Sequence, residues 1–184
     1  MKKLNGYNNV EANTGDYKRL PAGGYVCRIV KVEDFPEKEY LKISFDILDG
    51  EYAKWYEDMY KRMGSDWWPA SFIRSYKEKA MPFFKGFITA VDESNGTSFG
   101  SMIESGFDEQ KLVRQKIGLV LGYEQYQNKY GEVKERMYVD RNTSVQKIQD
   151  CDYKIPGLKL LNGAQAVPAG GFATLDGADD DLPF

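Results

Sequence analysis

The chain has 184 residues, 42% hydrophobic and 14% aromatic, with 25 basic and 28 acidic side chains giving a net charge of −3 at pH 7. That length predicts one domain with a core of its own plus extensions. There is no His, and the two cysteines, Cys27 and Cys151, stand far apart, which argues against zinc sites, His-based catalytic triads and a disulfide framework.

The first twenty residues read as an irregular lead-in without the apolar stretch of a signal peptide, and no run approaches the ~20 apolar residues of a membrane span. A reduced, cytoplasmic protein is expected. "LPAGGY" (20–25) is a turn, and "YVCRIVKVED" (25–34) is a first strand, with Tyr25, Cys27 and Ile29 on one face and Val26, Arg28, Val30 and Val32 on the other. The cleanest alternation follows in "YLKISFDIL" (40–48), where Leu41, Ile43, Phe45 and Ile47 form the core face. After an Asp-Gly turn, "AKWYEDMYKRM" (53–63) is expected to be a third, aromatic-rich strand.

From 66 the period changes. Phe72, Ile73, Tyr76, Ala80, Phe83, Phe84, Phe87, Ile88 and Val91 recur at three and four, so a helical block is expected over 66–91, started at Asp66 or Ser71 and kinked or split in two by Pro82 and Gly86. A loop (92–106) and a helical turn begun by Asp108 lead to two more strands, 116–126 and 133–141, joined by "QNKYGE". On the last strand Lys134, Arg136 and Tyr138 share a face opposite Val133, Met137 and Val139. A short helix is expected at 144–150 and a flexible arm over 162–184. Three strands, a helical block and two strands match the element order of an OB-fold-like five-stranded barrel, mainly β, with the helical block inserted between strands 3 and 4.

Two stretches, "KWYEDMYKRM" and "YEQYQNKYGEVKERMY", interleave rings with cations, the arrangement by which single-stranded nucleic acid is held: rings stack on bases and cations track phosphates. The candidate contacts are Arg28, Lys42, Trp55, Tyr56, Tyr60, Arg62, Tyr123, Tyr126, Lys129, Tyr130, Lys134, Arg136 and Tyr138. Each has a plainer reading as a strand-forming residue on a wet sheet face. "DWWP" (66–69) reads first as a plug at one end of the barrel and second as a base platform. No carboxylate spacing suits a metal and no Gly-rich loop suits a phosphate, so neither cofactor nor catalytic residue is expected.

The chain closes on "DGADDDLPF". Asp176, Asp179, Asp180 and Asp181 account for the acidity, because without them 25 basic residues face 24 acidic ones. Consecutive aspartates before an apolar tip suit a peptide ligand, with Phe184 entering a pocket, Pro183 stiffening the approach and the carboxylates meeting a basic rim.

"DDDLPF" resembles the Asp-Asp-Asp-Ile-Pro-Phe tip of bacterial and phage single-stranded DNA-binding proteins, departing from it only at Leu182. "LPAGGYVCRIVKVED…YLKISFDI" and "KIGLVLGYEQYQNKYGEVKERMYVDRNTSV…DYKIPGLKLL" are similar to a group of such proteins carried by phages and integrated elements of Gram-positive bacteria. The similarity spans most of residues 17–161. The resemblance implies an OB-type DNA-binding domain over 1–161 and sequence-tolerant binding of single strands in replication, recombination or repair. It also implies a disordered acidic tail over 162–184 whose residues Asp179, Asp180, Asp181, Leu182, Pro183 and Phe184 dock replication and recombination proteins, with a homo-oligomer left open. The competing expectations are a strand-annealing recombination protein and an adaptor that uses the tail alone.

Overall fold

A computed structural model describes residues 2–3, 5 and 18–161. Five strands, β1 (Gly23–Phe35), β2 (Tyr40–Ile47), β3 (Ser71–Ser75), β4 (Lys116–Gln127) and β5 (Val133–Thr143), form one antiparallel sheet in the order β3-β2-β1-β4-β5. Three helices accompany it: α1 (Trp55–Met63), α2 (Met81–Asn95) and α3 (Val145–Gln149).

Strand β1 is thirteen residues long and serves two ladders. Its first half pairs with β4 and its second half with β2, only Cys27 and Arg28 being paired on both sides. A bulge between Ile29 and Lys31 inserts one residue, so that Cys27, Ile29 and Val32 all turn inward and are buried. Strict alternation had put Val32 opposite Ile29; the inserted Val30 reverses its side.

The sheet is open rather than closed into a barrel. Edge strand β3 is five residues long and no ladder joins it to β5 among the described residues. The two edges meet through side chains instead: Arg74 donates from Nε and Nη2 to Asn142 Oδ1 at 3.0 and 2.7 Å. Burial pulls the Arg74 guanidinium down to about 10, still charged at neutral pH.

Two expected elements are corrected. Residues expected as a third strand form helix α1, because Asp46 at the end of β2 caps it: its Oδ1 accepts from Tyr56 N at 3.0 Å and its Oδ2 from Glu57 N at 3.3 Å. Glu57 and Lys61 then pair at i,i+4 and Gly64 ends the helix in the left-handed conformation. The expected helical block is divided, since Ser71–Ser75 is strand β3, paired with β2 from Ser44 to Tyr40. Pro82 does not kink α2; it sits in the first turn, where its missing N–H has no helical partner to lose.

Helix α2 lies on the core face, where Phe84, Phe87, Ile88 and Val91 are buried against Phe72 and the inward residues of β1, β2 and β4. On the opposite, outer face a smaller cluster forms from Val26, Val120 and Ile148 with Tyr153 against it. Gly118 permits that approach: a Cβ there would meet Ile148 Cγ1 at 2.6 Å and Ser144 O at 2.7 Å. After α3 the chain crosses the outer face as an extended strap. Lys159 N donates to Tyr123 O at 2.9 Å and Gln125 N to Lys159 O at 2.8 Å, on the β4 edge where β1 has ended. Among the described residues no helix is long and apolar enough to cross a membrane and no cluster of His, Cys, Asp and Glu suits a metal.

The 92–106 segment is tied down by Asp92, which accepts from Thr97 Oγ1 at 2.7 Å, Phe99 N at 2.8 Å and Gly100 N at 2.9 Å. Burial alone raises this carboxyl, and the three hydrogen bonds together outweigh it, so its pKa is lowered. A carboxylate with a depressed folded pKa stabilises the fold above its unfolded value of about 4 and loses that contribution as pH falls through the folded one. Asp92→Ala should therefore cost about 1–3 kcal/mol at neutral pH by urea unfolding. The deficit should shrink below about pH 4; a deficit constant down to pH 2 would show that the charge does not contribute.

Candidate nucleic-acid interface

The β4–β5 hairpin runs past the end of β1, whose pairing with β4 stops at Leu121. In its register Tyr126 faces Lys134, Glu124 faces Arg136 and Gly122 faces Tyr138, so these six positions line one face of a two-stranded ribbon. The first and last of these rows are four residue steps apart, about 14 Å along the strand. Tyr123, Gln125, Glu135 and Met137 line the other face.

On the outer face rings and cations alternate. The Arg136 guanidinium lies 5.2 Å from the Tyr126 ring centre while its Nε donates to Glu124 Oε1 at 2.7 Å. At the hairpin tip the Lys129 ammonium is 5.1 Å from the Tyr130 ring, and Tyr130 is 76% exposed. Asn128 shapes the tip by accepting from Tyr130 N and Glu132 N at 3.0 and 2.9 Å, and Gly131 supplies the positive φ of 81°. Lys134 pairs with Glu132 at 3.2 Å.

At the base of the hairpin Tyr138 lies across Gly122, where a Cβ would meet the Tyr138 ring at 3.0 Å and Pro156 of the strap at 2.7 Å. The Lys159 ammonium sits 3.8 Å from the Tyr138 ring centre and 3.9 Å from Asp140 Oδ1, which also accepts from the Tyr138 hydroxyl at 3.1 Å. Asp140 is the extra residue of a bulge, since Val120 faces Arg141 and Leu121 faces Val139. Burial, then the Asp140 charge, pushes the Tyr138 hydroxyl well above its ordinary value, so it stays a donor at every physiological pH. Exposed ion pairs such as these are worth about 0–1 kcal/mol each. They hold the cations loosely.

The remaining candidates are scattered. Arg28 faces Lys116 and Asp46 on the outer side of β1, and Lys42 lies between Glu33 and Ile73 on the outer side of β2. Beyond Lys42 the Phe35 and Tyr40 rings stack at 4.9 Å, an aromatic spot absent from the sequence candidates. Tyr56 is buried: it meets Phe45 edge-on at 5.4 Å, its hydroxyl donates to Met137 Sδ at 3.1 Å, and burial drives its pKa far up. It is a core residue with no face for a base.

Trp55 and Tyr123 lie on the inner side, lining with Met59, Met137, Lys18 and Arg19 a cleft of about 350 Å³. Arg19 covers the Tyr123 ring at 3.5 Å and pairs with Glu135. Tyr60 packs against Trp68 at 5.3 Å, and Arg62 is exposed on α1. "DWWP" divides its roles: Trp68 Nε1 donates to Phe45 O at 2.8 Å and seals the core, whereas Trp67 is 55% exposed. Lys159 escaped sequence reasoning because only backbone pairing with a strand far upstream brings it to Tyr138. The expected partner-binding tip, residues 179–184, lies outside the described residues.

The chain matches no protein-family model and no curated protein. The hairpin face therefore stands on its own geometry, and its residues are separable from the core by stability. Tyr56→Ala should cost about 3–5 kcal/mol in urea unfolding, whereas Tyr130→Ala should change stability by less than about 0.5 kcal/mol. Equal losses would mean that the tip is part of the core.

Proposed function

We propose that the chain is a non-enzymatic, sequence-tolerant single-stranded DNA-binding protein. The observation that carries this is the outer face of the β4–β5 hairpin, where three tyrosines, Tyr126, Tyr130 and Tyr138, are interleaved with Lys129, Lys134, Arg136 and Lys159. Bases stack on the rings at about 1–3 kcal/mol each, and phosphates meet the cations. A π-face is common to all four bases, so this contact reads no sequence.

The fold supports the same reading. A five-stranded sheet whose first strand serves two ladders, left open between β3 and β5 and with α2 ahead of β4, suits kinship with the partly open OB-type sheet. Arg28, Lys42 and the Phe35–Tyr40 stack would extend the strand's path along the outer side of β1 and β2. The resemblance of "DDDLPF" supports a second role for residues 179–184, docking replication or recombination proteins while the folded part holds DNA.

Quenching of Tyr and Trp fluorescence by an oligo-dT strand, measured at two salt concentrations, tests the reading. Binding should weaken with salt, and Lys134→Ala with Tyr130→Ala should lower affinity at least about tenfold together. The absence of quenching at low salt would sink the proposal. Deleting residues 176–184 should leave affinity equal or raised, because four aspartates compete with DNA for the basic face; a large loss would place DNA contacts in the tail.

A further inference from the structure

Two of the hairpin cations are held in the same way. Arg136 stands between the Tyr126 ring and the Glu124 carboxylate, and Lys159 between the Tyr138 ring and the Asp140 carboxylate. The two constellations are built independently. Glu124 reaches Arg136 by direct cross-strand register, whereas Asp140 is placed by the β5 bulge and Lys159 by the strap. In both, a carboxylate oxygen faces the cation, 2.7 Å from Arg136 Nε and 3.9 Å from Lys159 Nζ.

We infer that this face binds a polyanion by exchange, with Glu124 and Asp140 standing in for phosphate in the free protein and leaving Arg136 and Lys159 when the strand arrives. The inference rests on the reading above that a single strand binds here. Its consequence lies in the ion balance. A cation that takes up a phosphate normally releases a condensed counterion from the nucleic acid, and each such contact steepens the fall of affinity with salt by about 0.7 in log–log slope for a single strand. Here the displaced Glu124 carboxylate is left to water and salt cations, while Asp140 keeps Arg141 at 3.8 Å and the Tyr138 hydroxyl at 3.1 Å and is freed only from Lys159. Uptake offsets part of the release, so these two contacts add less salt dependence than two free cations would.

Geometry favours exchange over permanent pairing. Both carboxylates keep some access to solvent, with side chains 26% and 19% exposed, and their cations are about half exposed, so the pairs are weak; Asp140, which also has Arg141 and the Tyr138 hydroxyl, is the more firmly held of the two. The cations have other anchors that persist when the carboxylates move: Arg136 has the Tyr126 ring, and Lys159 has the Tyr138 ring and the two strap hydrogen bonds to β4. A single strand would therefore meet cations already in place.

The experiment is a salt titration of the affinity of the full chain for a labelled oligo-dT strand, with Glu124→Gln, Asp140→Asn, the double variant and, as a control on the far side of the molecule, Glu93→Gln. Each single variant should steepen the slope, by at most about 0.7, with the larger change for Glu124→Gln, and the double variant should exceed either, because uptake no longer offsets release. Affinity at low salt should rise by up to about fivefold per carboxylate, the most that one exposed ion pair can withhold. Glu93→Gln should leave the slope unchanged.

Unchanged slopes with intact binding would overturn the exchange while leaving the DNA-binding reading in place. Weaker binding by Glu124→Gln would overturn it too, since the carboxylate would then be positioning Arg136. Failure of the wild-type chain to bind would overturn both. Thermal unfolding of Glu124→Gln, whose site is partly exposed, keeps the test independent of the bulge.

Discussion

Strand β1 cannot be satisfied by one partner. It presents thirteen residues to strands of eight and twelve, and divides its hydrogen bonds between them with an overlap of two residues. The two ladders overlap at Cys27 and Arg28, and the neighbouring bulge lets Ile29 and Val32 reach the same core. From this one accommodation come the two faces of the molecule. The inner face is filled by α2, and the outer face keeps cations and rings in solvent.

The same constraint sets the reach of the hairpin. Because β1 leaves β4 at Leu121, the next rows of β4 and β5 stand as a ribbon, and a two-stranded ribbon alone is marginal in water. The strap supplies the missing support by bonding to Tyr123 and Gln125 and resting Pro156 on Gly122. Gly122 also admits the Tyr138 ring, so one absent side chain serves packing on the strand and across it.

The alternating strands could be read from sequence because the larger apolar residues keep to one face of each, although Ser44, Asp46 and Val120 are buried on the other: β2 and the β4–β5 pair reveal both their extent and the side on which Lys134, Arg136 and Tyr138 lie. Helix α1 could not, since its aromatics are good strand formers and the decisive group, Asp46, acts from the preceding strand. Strand β3 was hidden because Phe72 and Ile73 fall at helical spacing from residues of α2, although Phe72 faces the core and Ile73 faces water. Among candidate contacts, the placement of Tyr126 and Tyr130 on a hairpin beside Arg136 and Lys129 was legible from the sequence. Tyr56 was misread for the same reason that α1 was, its burial following from a helix the pattern did not reveal.

The strap has one more effect, on association between molecules. With β1 and the strap lying along one side of β4, the hairpin edge left without a backbone partner among the described residues is that of β5, and its stretch Lys134-Glu135-Arg136 is charged at three consecutive positions. Charges on a free edge discourage a second sheet from adding to it. The cations that would meet a nucleic-acid backbone under the proposed function are thus the same ones that make this edge a poor template for another strand.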